Sequence, residues 1–97
     1  MRYRLLVAED EPQMREMLRD YFAAKGFDVT LCPNGERALA VLKEHAFDIV
    51  FLDIMMPGLD GLSVCRAVRR ESAVPVIFLT ARSGEENELL GYGFGAD

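Results

Sequence analysis

Short apolar runs alternate along the chain with longer stretches in which apolar residues recur every three or four positions. The runs occupy residues 3–8, 27–31, 47–52 and 74–79, and their composition is typical of buried strands. The stretches between them have the period of amphipathic helices. Strands that alternate with helices of about ten to fifteen residues predict right-handed crossovers and a parallel sheet with helices on both faces. The predicted fold class is therefore α/β, with a doubly wound parallel sheet.

Residues that commonly begin or end helices bound the predicted helices. Pro12 begins the first helix and Gly26 ends it, while Asn34 and Asp60 cap the second and the third. A capping-box pattern at Ser83 begins a last helix, which is rich in glycine toward its end.

The helical period also predicts which residues of the first three helices face the core. They are Met14, Met17, Leu18, Tyr21 and Phe22 in the first helix, Ala38, Val41 and Leu42 in the second, and Leu62, Cys65 and Val68 in the third. The third helix ends in a turn rich in arginine, which the helix dipole favours.

Functional side chains follow three of the predicted strands where each strand ends. Glu9 and Asp10 follow the first strand, Asp53 ends the third, and Thr80 follows the fourth. Because the carboxyl ends of parallel strands share one edge of a sheet, we expect these groups to lie close together. Carboxylate oxygens suit Mg²⁺ or Mn²⁺, and an Asp beside such a cation is a nucleophile toward phosphorus. The sequence therefore predicts a cation-dependent site for phosphoryl transfer.

Composition and charge limit the classes of function. The 97 residues carry a formal net charge of −5, which argues against nucleic-acid binding by this segment. No run approaches the roughly 18 apolar residues of a membrane span, and no signal peptide is recognisable. We therefore expect no membrane association and a cytoplasmic location.

The two cysteines carry no predicted chemistry. Cys32 and Cys65 lack metal-type spacing and are interpreted as reduced packing residues.

Four segments together carry a resemblance to a known family. They are residues 6–12 (LVAEDEP), 48–61 (DIVFLDIMMPGLDG), 75–82 (PVIFLTAR) and 95–97 (GAD). In this order they resemble the CheY-like receiver domain of two-component response regulators, and the resemblance covers the whole chain. The Thr-Ala-Arg segment and the compact third helix are most similar to OmpR/PhoB-type transcriptional regulators. The resemblance implies the flavodoxin-like receiver fold, with strand order 2-1-3-4-5.

The resemblance also implies a role for each residue of the acidic edge. Asp53 would be the phosphoacceptor, supplied by the phosphohistidine of a sensor histidine kinase, and Thr80 would be the switch hydroxyl. Asp10, Asp53 and the Met55 backbone carbonyl would bind Mg²⁺, while Glu9 would hold metal-bound water. By the same resemblance the chain is a signalling domain rather than an enzyme, and it controls a winged-helix DNA-binding output domain in its parent protein.

The chain departs from the family pattern at two places. The first acidic position is Glu9, where the family usually has Asp, so the side chain is longer but keeps its charge. The family continues past the Gly-Ala-Asp segment with a fifth strand, which ends in Lys-Pro, and a fifth helix. We therefore expect a receiver domain over residues 1–97 that is incomplete at its C-terminus and lacks this strand and helix. Since its fourth strand would lie at a sheet edge, we also expect a homodimer.

Three other functions stay open on the residues alone. A haloacid-dehalogenase-type phosphatase also forms an aspartyl phosphate, but it needs a second Asp at the position of Met55. A flavodoxin-like flavin module needs a phosphate cradle where the acidic residues 9–11 would repel phosphate. The third is a receiver-like module that signals by dimerisation without phosphate.

Three further polar residues are interpreted as structural. Glu11 is interpreted as a partner of the helix dipole, His45 as a solvated residue and Asp60 as a helix cap.

Overall fold

The computed structural model describes residues 2–79, which form four strands and three helices in alternation. The strands are β1 (Arg4–Ala8), β2 (Asp28–Cys32), β3 (Ile49–Asp53) and β4 (Val76–Leu79), and the helices are α1 (Pro12–Ala24), α2 (Gly35–Glu44) and α3 (Gly61–Arg69). The predicted alternation is confirmed, although each strand begins one or two positions after its apolar run. The helix predicted from Ser83 lies outside the described residues. Among residues 2–79, no helix is long and apolar enough to cross a membrane.

The four strands form one parallel sheet in the order β2-β1-β3-β4. In the central strand β1, Leu6 pairs with Thr30 of β2 on one side and with Val50 of β3 on the other. At the carboxyl edge, Asp53 of β3 pairs with Leu79 of β4. This arrangement confirms the predicted order of the first four strands in a doubly wound sheet. It also makes β1 and β3 direct neighbours, so their carboxyl ends are adjacent.

Apolar side chains are buried on both faces of the sheet. The core cluster under α2 and α3 includes Leu6 of β1 and Val64 of α3. The cluster under α1 includes Leu5 and Phe51, and the centroid of the Phe51 ring lies 4.8 Å from that of the Phe22 ring. Adjacent residues of one strand thus point to opposite faces, and both faces are covered. This burial explains why the strands are continuous apolar runs in the sequence rather than alternating ones.

Three predicted helix boundaries are confirmed by hydrogen bonds or backbone angles. Asn34 Oδ1 accepts a hydrogen bond from the Arg37 backbone N–H at 2.8 Å, and Asp60 Oδ1 accepts one from that of Ser63 at 2.8 Å. Each cap satisfies a backbone donor that the first helical turn leaves without a partner. After α1, Gly26 adopts a φ of 96°, a left-handed conformation that favours glycine.

Two helix faces differ from the prediction. The prediction that Met17 and Tyr21 face the core is wrong, because each side chain is 56% exposed. The stripe of α1 that packs on the sheet is narrower than the apolar stripe of the sequence, and it includes Phe22. The prediction for Leu62 in α3 is also wrong, because it is 43% exposed and Val64 is buried instead. The helical period shows only which residues are able to face a core, and in both helices packing covers a part of that apolar stripe.

Gly61 begins α3 directly against the strand that ends in Asp53. A Cβ atom at this position would overlap the backbone carbonyl oxygen of Asp53. We expect Gly61→Ala to lower the free energy of unfolding by about 1 to 3 kcal/mol, because one of the two backbone segments must move. Denaturant unfolding followed by circular dichroism measures the change. Leu62→Ala, at the next and exposed position, is the control and should cost less than about 1 kcal/mol. Equal costs would refute the steric argument.

Candidate functional site

Three carboxylates meet at the carboxyl edge of the sheet, as the sequence predicts. Glu9 follows β1 and Asp53 ends the neighbouring strand β3, while Asp10 begins the connection to α1. Carboxylate oxygens of the three residues lie within 4.8 Å of one another. Glu9 and Asp53 are only 2% and 1% exposed. The two central acids are therefore almost fully removed from water in spite of their charge.

Backbone N–H groups hold the two buried carboxylates. Glu9 Oε2 accepts a hydrogen bond from the Glu11 backbone N–H at 3.1 Å, and Asp53 Oδ1 accepts one from that of Met55 at 3.1 Å. Both donors lie two residues after the acid they bind, so each strand end turns back on its own side chain. These bonds orient the carboxylates toward the shared space between the strand ends.

Burial and mutual repulsion disfavour the ionised forms of these acids. Burial, and to a smaller extent the nearby Asp53, raises the pKa of Glu9 from 4.5 to about 7, against the lowering effect of the Glu11 N–H. Burial also raises the pKa of Asp53, while the hydrogen bond from the Met55 N–H lowers it. Without a cation the pair therefore favours a retained proton.

The donor set of this cluster fits a hard divalent cation. It consists of three carboxylates, and oxygen ligands of this kind suit Mg²⁺ better than the nitrogen and sulfur ligands typical of zinc sites. Burial, and to a smaller extent the repulsion between close carboxylates that lack a cation, accounts for the raised pKa values. The acidic cluster is therefore the candidate metal centre among the described residues.

Arg15 of α1 is a residue of this region that the sequence analysis does not identify. Its Nη1 donates a hydrogen bond to the backbone carbonyl oxygen of Glu9 at 2.9 Å and a longer one to that of Asp10 at 3.5 Å. A signal was present in the sequence, because an arginine near a helix N-terminus opposes the helix dipole and needs a compensating partner.

The other predicted site residues have varied outcomes. The Met55 side chain is 59% exposed, and its backbone N–H binds Asp53, whereas its carbonyl as a ligand stays a prediction. Glu11 is the N-cap residue of α1 and makes no side-chain cap hydrogen bond there. Asp60 is a helix cap, as predicted, and the backbone N–H of Ser63 lowers its pKa. Thr80 lies outside the described residues.

The remaining candidates have the structural roles that the sequence predicts. Cys32 and Cys65 are buried in the core, and burial raises the pKa of the Cys32 thiol to about 11, which keeps it protonated and unreactive. His45 is exposed at the end of α2. It lines a cleft of about 520 Å³ between the C-terminal parts of α2 and α3. This cleft lies at the opposite edge of the sheet from the acidic cluster.

Comparison with known families identifies the family of this chain. The sequence matches the response regulator receiver domain over residues 5–97. The chain belongs to this family. Its membership favours a receiver over the phosphatase and flavin-binding alternatives that the residues alone left open.

Two relatives of this receiver are transcriptional regulators. The transcriptional activator protein PfeR of Pseudomonas aeruginosa is 46% identical over 94 residues, which are 97% of this chain and 31% of PfeR. The DNA-binding response regulator MtrA of Mycolicibacterium smegmatis is 41% identical over 97 residues, which are 100% of this chain and 42% of MtrA. The receiver thus spans about a third to two fifths of the length of the curated relatives it matches.

A solved structure has the same fold. The response regulator TrrA from Thermotoga maritima, in complex with Mg²⁺-BeF, superimposes with a TM-score of 0.80 and 39% sequence identity. The match covers 86% of this chain and 72% of the TrrA chain. The parallel sheet of this receiver, with the order β2-β1-β3-β4, is therefore that of a CheY-like receiver domain.

Proposed function

We propose that Asp53 accepts a phosphoryl group from the phosphohistidine of a sensor histidine kinase, and that this change switches an output domain. One observation carries the proposal: the Asp53 carboxylate is buried at the end of β3, within 4.8 Å of carboxylate oxygens of Glu9 and Asp10. Family membership supports it, since the relatives are transcriptional response regulators. In this proposal the domain is a phosphoacceptor and not an enzyme.

The transfer is a substitution at phosphorus. An Asp53 carboxylate oxygen attacks the phosphorus atom, the phosphorus–nitrogen bond of the donor breaks, and its electron pair remains on the histidine nitrogen. An acyl phosphate forms on Asp53. The Met55 N–H orients the acceptor through its hydrogen bond to Oδ1. The neighbouring carboxylates oppose the arrival of a negatively charged group, so their charge has to be offset.

Glu9, Asp10 and Asp53 are the side chains that would hold Mg²⁺, with the Met55 backbone carbonyl as a further proposed ligand. The bound cation would offset the negative charge that accumulates during phosphoryl transfer. The complex of TrrA with Mg²⁺-BeF supports a magnesium site in a related receiver. Glu9 lies where the family usually has Asp, and we retain for it the role of holding metal-bound water that the resemblance implies.

The remaining parts of the proposal concern what the switch controls. Thr80 is the proposed switch hydroxyl, and a winged-helix DNA-binding domain is the proposed output in the full-length protein. The names of PfeR as a transcriptional activator and of MtrA as a DNA-binding regulator support such an output. With a net charge of −5, the segment itself is expected to bind no nucleic acid. The homodimer and the cytoplasmic location stay predictions.

Mg²⁺ affinity tests the proposed site. We expect Asp10→Asn and Asp53→Asn each to weaken Mg²⁺ binding by at least about tenfold, because each removes a charged oxygen ligand. Isothermal titration calorimetry on the full-length protein measures the affinity. Asp20→Asn removes the same charge from an exposed position of α1, where the side chain pairs with Arg19, and should leave binding unchanged. Wild-type affinity in both site variants would exclude this cluster as the magnesium site.

A further inference from the structure

Arg15 makes hydrogen bonds to every carbonyl oxygen of the acidic loop, which we define as residues 9–11. Its guanidinium donates to the carbonyl oxygens of Glu9 and Asp10, at 2.9 and 3.5 Å. Its backbone N–H donates to the carbonyl oxygen of Glu11 at 2.9 Å. The last of these bonds is the first backbone bond of α1, which any residue at this position makes, whereas the two guanidinium bonds are specific to the arginine side chain. The position of the acidic loop is thereby coupled to the position of the helix.

The loop needs this support because its own charges oppose its conformation. The Glu9 and Asp10 carboxylates repel each other and the Asp53 carboxylate, which lies on the neighbouring strand. The Glu11 side chain makes no cap hydrogen bond that would fix the start of α1. A support that bound the carboxylates themselves would compete with a cation for their oxygens. Hydrogen bonds to the backbone carbonyls hold the loop and avoid that competition.

The position of Arg15 indicates that the loop carbonyls are its main partners. Near the N-terminus of α1 its positive charge opposes the helix dipole. In the part of the chain that the structure describes, the ion pairs of α1 involve Arg19 and not Arg15. Both hydrogen bonds come from one guanidinium nitrogen, Nη1, which lies one bond farther along the side chain than the ammonium nitrogen of a lysine would.

We propose that Arg15 is a positioning residue of the acidic site, which holds the loop backbone so that the Glu9 and Asp10 carboxylates converge on Asp53. The inference rests on the proposed cation site. Arg15 acts through the loop and contacts neither the cation nor the phosphoryl group. Loss of residues that orient metal ligands typically weakens metal binding by about 10- to 100-fold. We expect a loss of about tenfold here.

The sign of the change in Mg²⁺ affinity separates positioning from simple electrostatics. Arg15→Met removes a positive charge near the site, which on charge alone would strengthen the binding of a cation. If Arg15 positions the loop, the same change weakens binding about tenfold. Arg19→Met is the matched control, because it removes the same charge from the same helix. The Arg19 side chain pairs only with the exposed acids Glu16 and Asp20 among the described ion pairs. We expect wild-type or slightly tighter binding in the control.

Phosphorylation kinetics give a second readout that a merely structural role would not produce. In the full-length protein, with acetyl phosphate as the donor, Arg15→Met should raise the Mg²⁺ concentration that gives half-maximal rate by about tenfold. The maximal rate at saturating Mg²⁺ should stay within about twofold of wild type, since Asp53 itself is unchanged. A variant that was less stable but still fully folded under the assay conditions, as circular dichroism checks, would keep both the maximal rate and the half-saturating concentration, because Mg²⁺ would meet an unchanged site.

Circular dichroism shows whether Arg15→Met folds. Arg15→Lys keeps the positive charge and provides a second test, which holds even if Arg15→Met does not fold. We expect an affinity between those of wild type and Arg15→Met, because the shorter lysine side chain reaches the carbonyl oxygens that Nη1 contacts less well. If Arg15→Met folds, binding like that of Arg19→Met overturns the inference. If it does not fold, wild-type affinity in Arg15→Lys overturns it. Failure of the wild-type protein to bind Mg²⁺ would instead overturn the proposed function.

Discussion

Asp53→Asn is expected to abolish phosphorylation of the protein by acetyl phosphate or a cognate kinase, with a loss of labelling of at least about 100-fold. The amide is neutral and a poor nucleophile, so no acyl phosphate forms at the position that is otherwise buried among acids. The label in the wild-type protein should depend on Mg²⁺ and should be removed by hydroxylamine, which cleaves acyl phosphates. Phosphate transfer from a radiolabelled donor, followed by gel analysis, measures both properties.

A matched control and a contradicting outcome make this experiment decisive. Asp28→Asn changes an exposed aspartate at the start of β2, and its labelling should equal that of wild type. Full labelling of Asp53→Asn, or an acid-stable label on a serine or threonine, would refute the assignment of Asp53. Absence of any label in a folded, Mg²⁺-bound wild-type protein would favour the alternative of a receiver-like module that signals by dimerisation without phosphate.

Glu9→Gln is expected to stabilise the cation-free protein at pH 8 by about 2 to 3 kcal/mol, and to have little effect near pH 4.5. Burial raises the pKa of Glu9 from 4.5 to about 7, so the folded protein binds this proton more tightly than the unfolded chain does. The stabilising contribution of the proton is complete below pH 4.5 and is lost as the pH rises to about 7. Glutamine resembles the protonated acid at every pH and avoids the loss.

The difference in unfolding free energy between wild type and Glu9→Gln, measured in denaturant from pH 4.5 to 8, tests this prediction. The difference should grow with pH and level off above about pH 7, the pKa of Glu9. Gln at position 9 still accepts the hydrogen bond of the Glu11 N–H, so the comparison isolates the charge. Glu16→Gln, which changes an exposed acid of α1, should show no such trend. A constant difference across the range would mean that Glu9 ionises normally in the folded protein.

The sequence alone was sufficient for the order of elements and for the helix caps. Apolar runs identified the strands because both faces of the sheet are covered, and the cap residues Asn34 and Asp60 carry their own hydrogen-bond chemistry. The outward positions of Met17 and Tyr21 were not predictable, because an apolar stripe shows only which residues are able to face a core. How far the sheet extends under a helix depends on tertiary packing, which the period of a single helix does not contain.

The carboxylates of the acidic site were predictable from the sequence, whereas the role of Arg15 in supporting them was not. Strand ends can be read from the sequence, and parallel neighbours bring Glu9 and Asp53 to one edge. Arg15 binds backbone carbonyl oxygens, whose directions depend on the conformation of the loop and not on residue type. The raised pKa values likewise follow from the burial of the assembled site.

The adjacency of β1 and β3 makes the acidic site a late product of folding. Asp10 and Asp53 are more than 40 positions apart in the sequence, and they meet only after the chain has passed through α1, β2 and α2 and has placed β3 beside β1. Pairing between strands so distant in the chain is a slow step, since its entropic cost precedes its stabilising contacts. A partly synthesised or proteolytically halved chain therefore lacks the cation site altogether. Cation binding during refolding thus reports the pairing of β3 with β1 rather than the formation of any single helix.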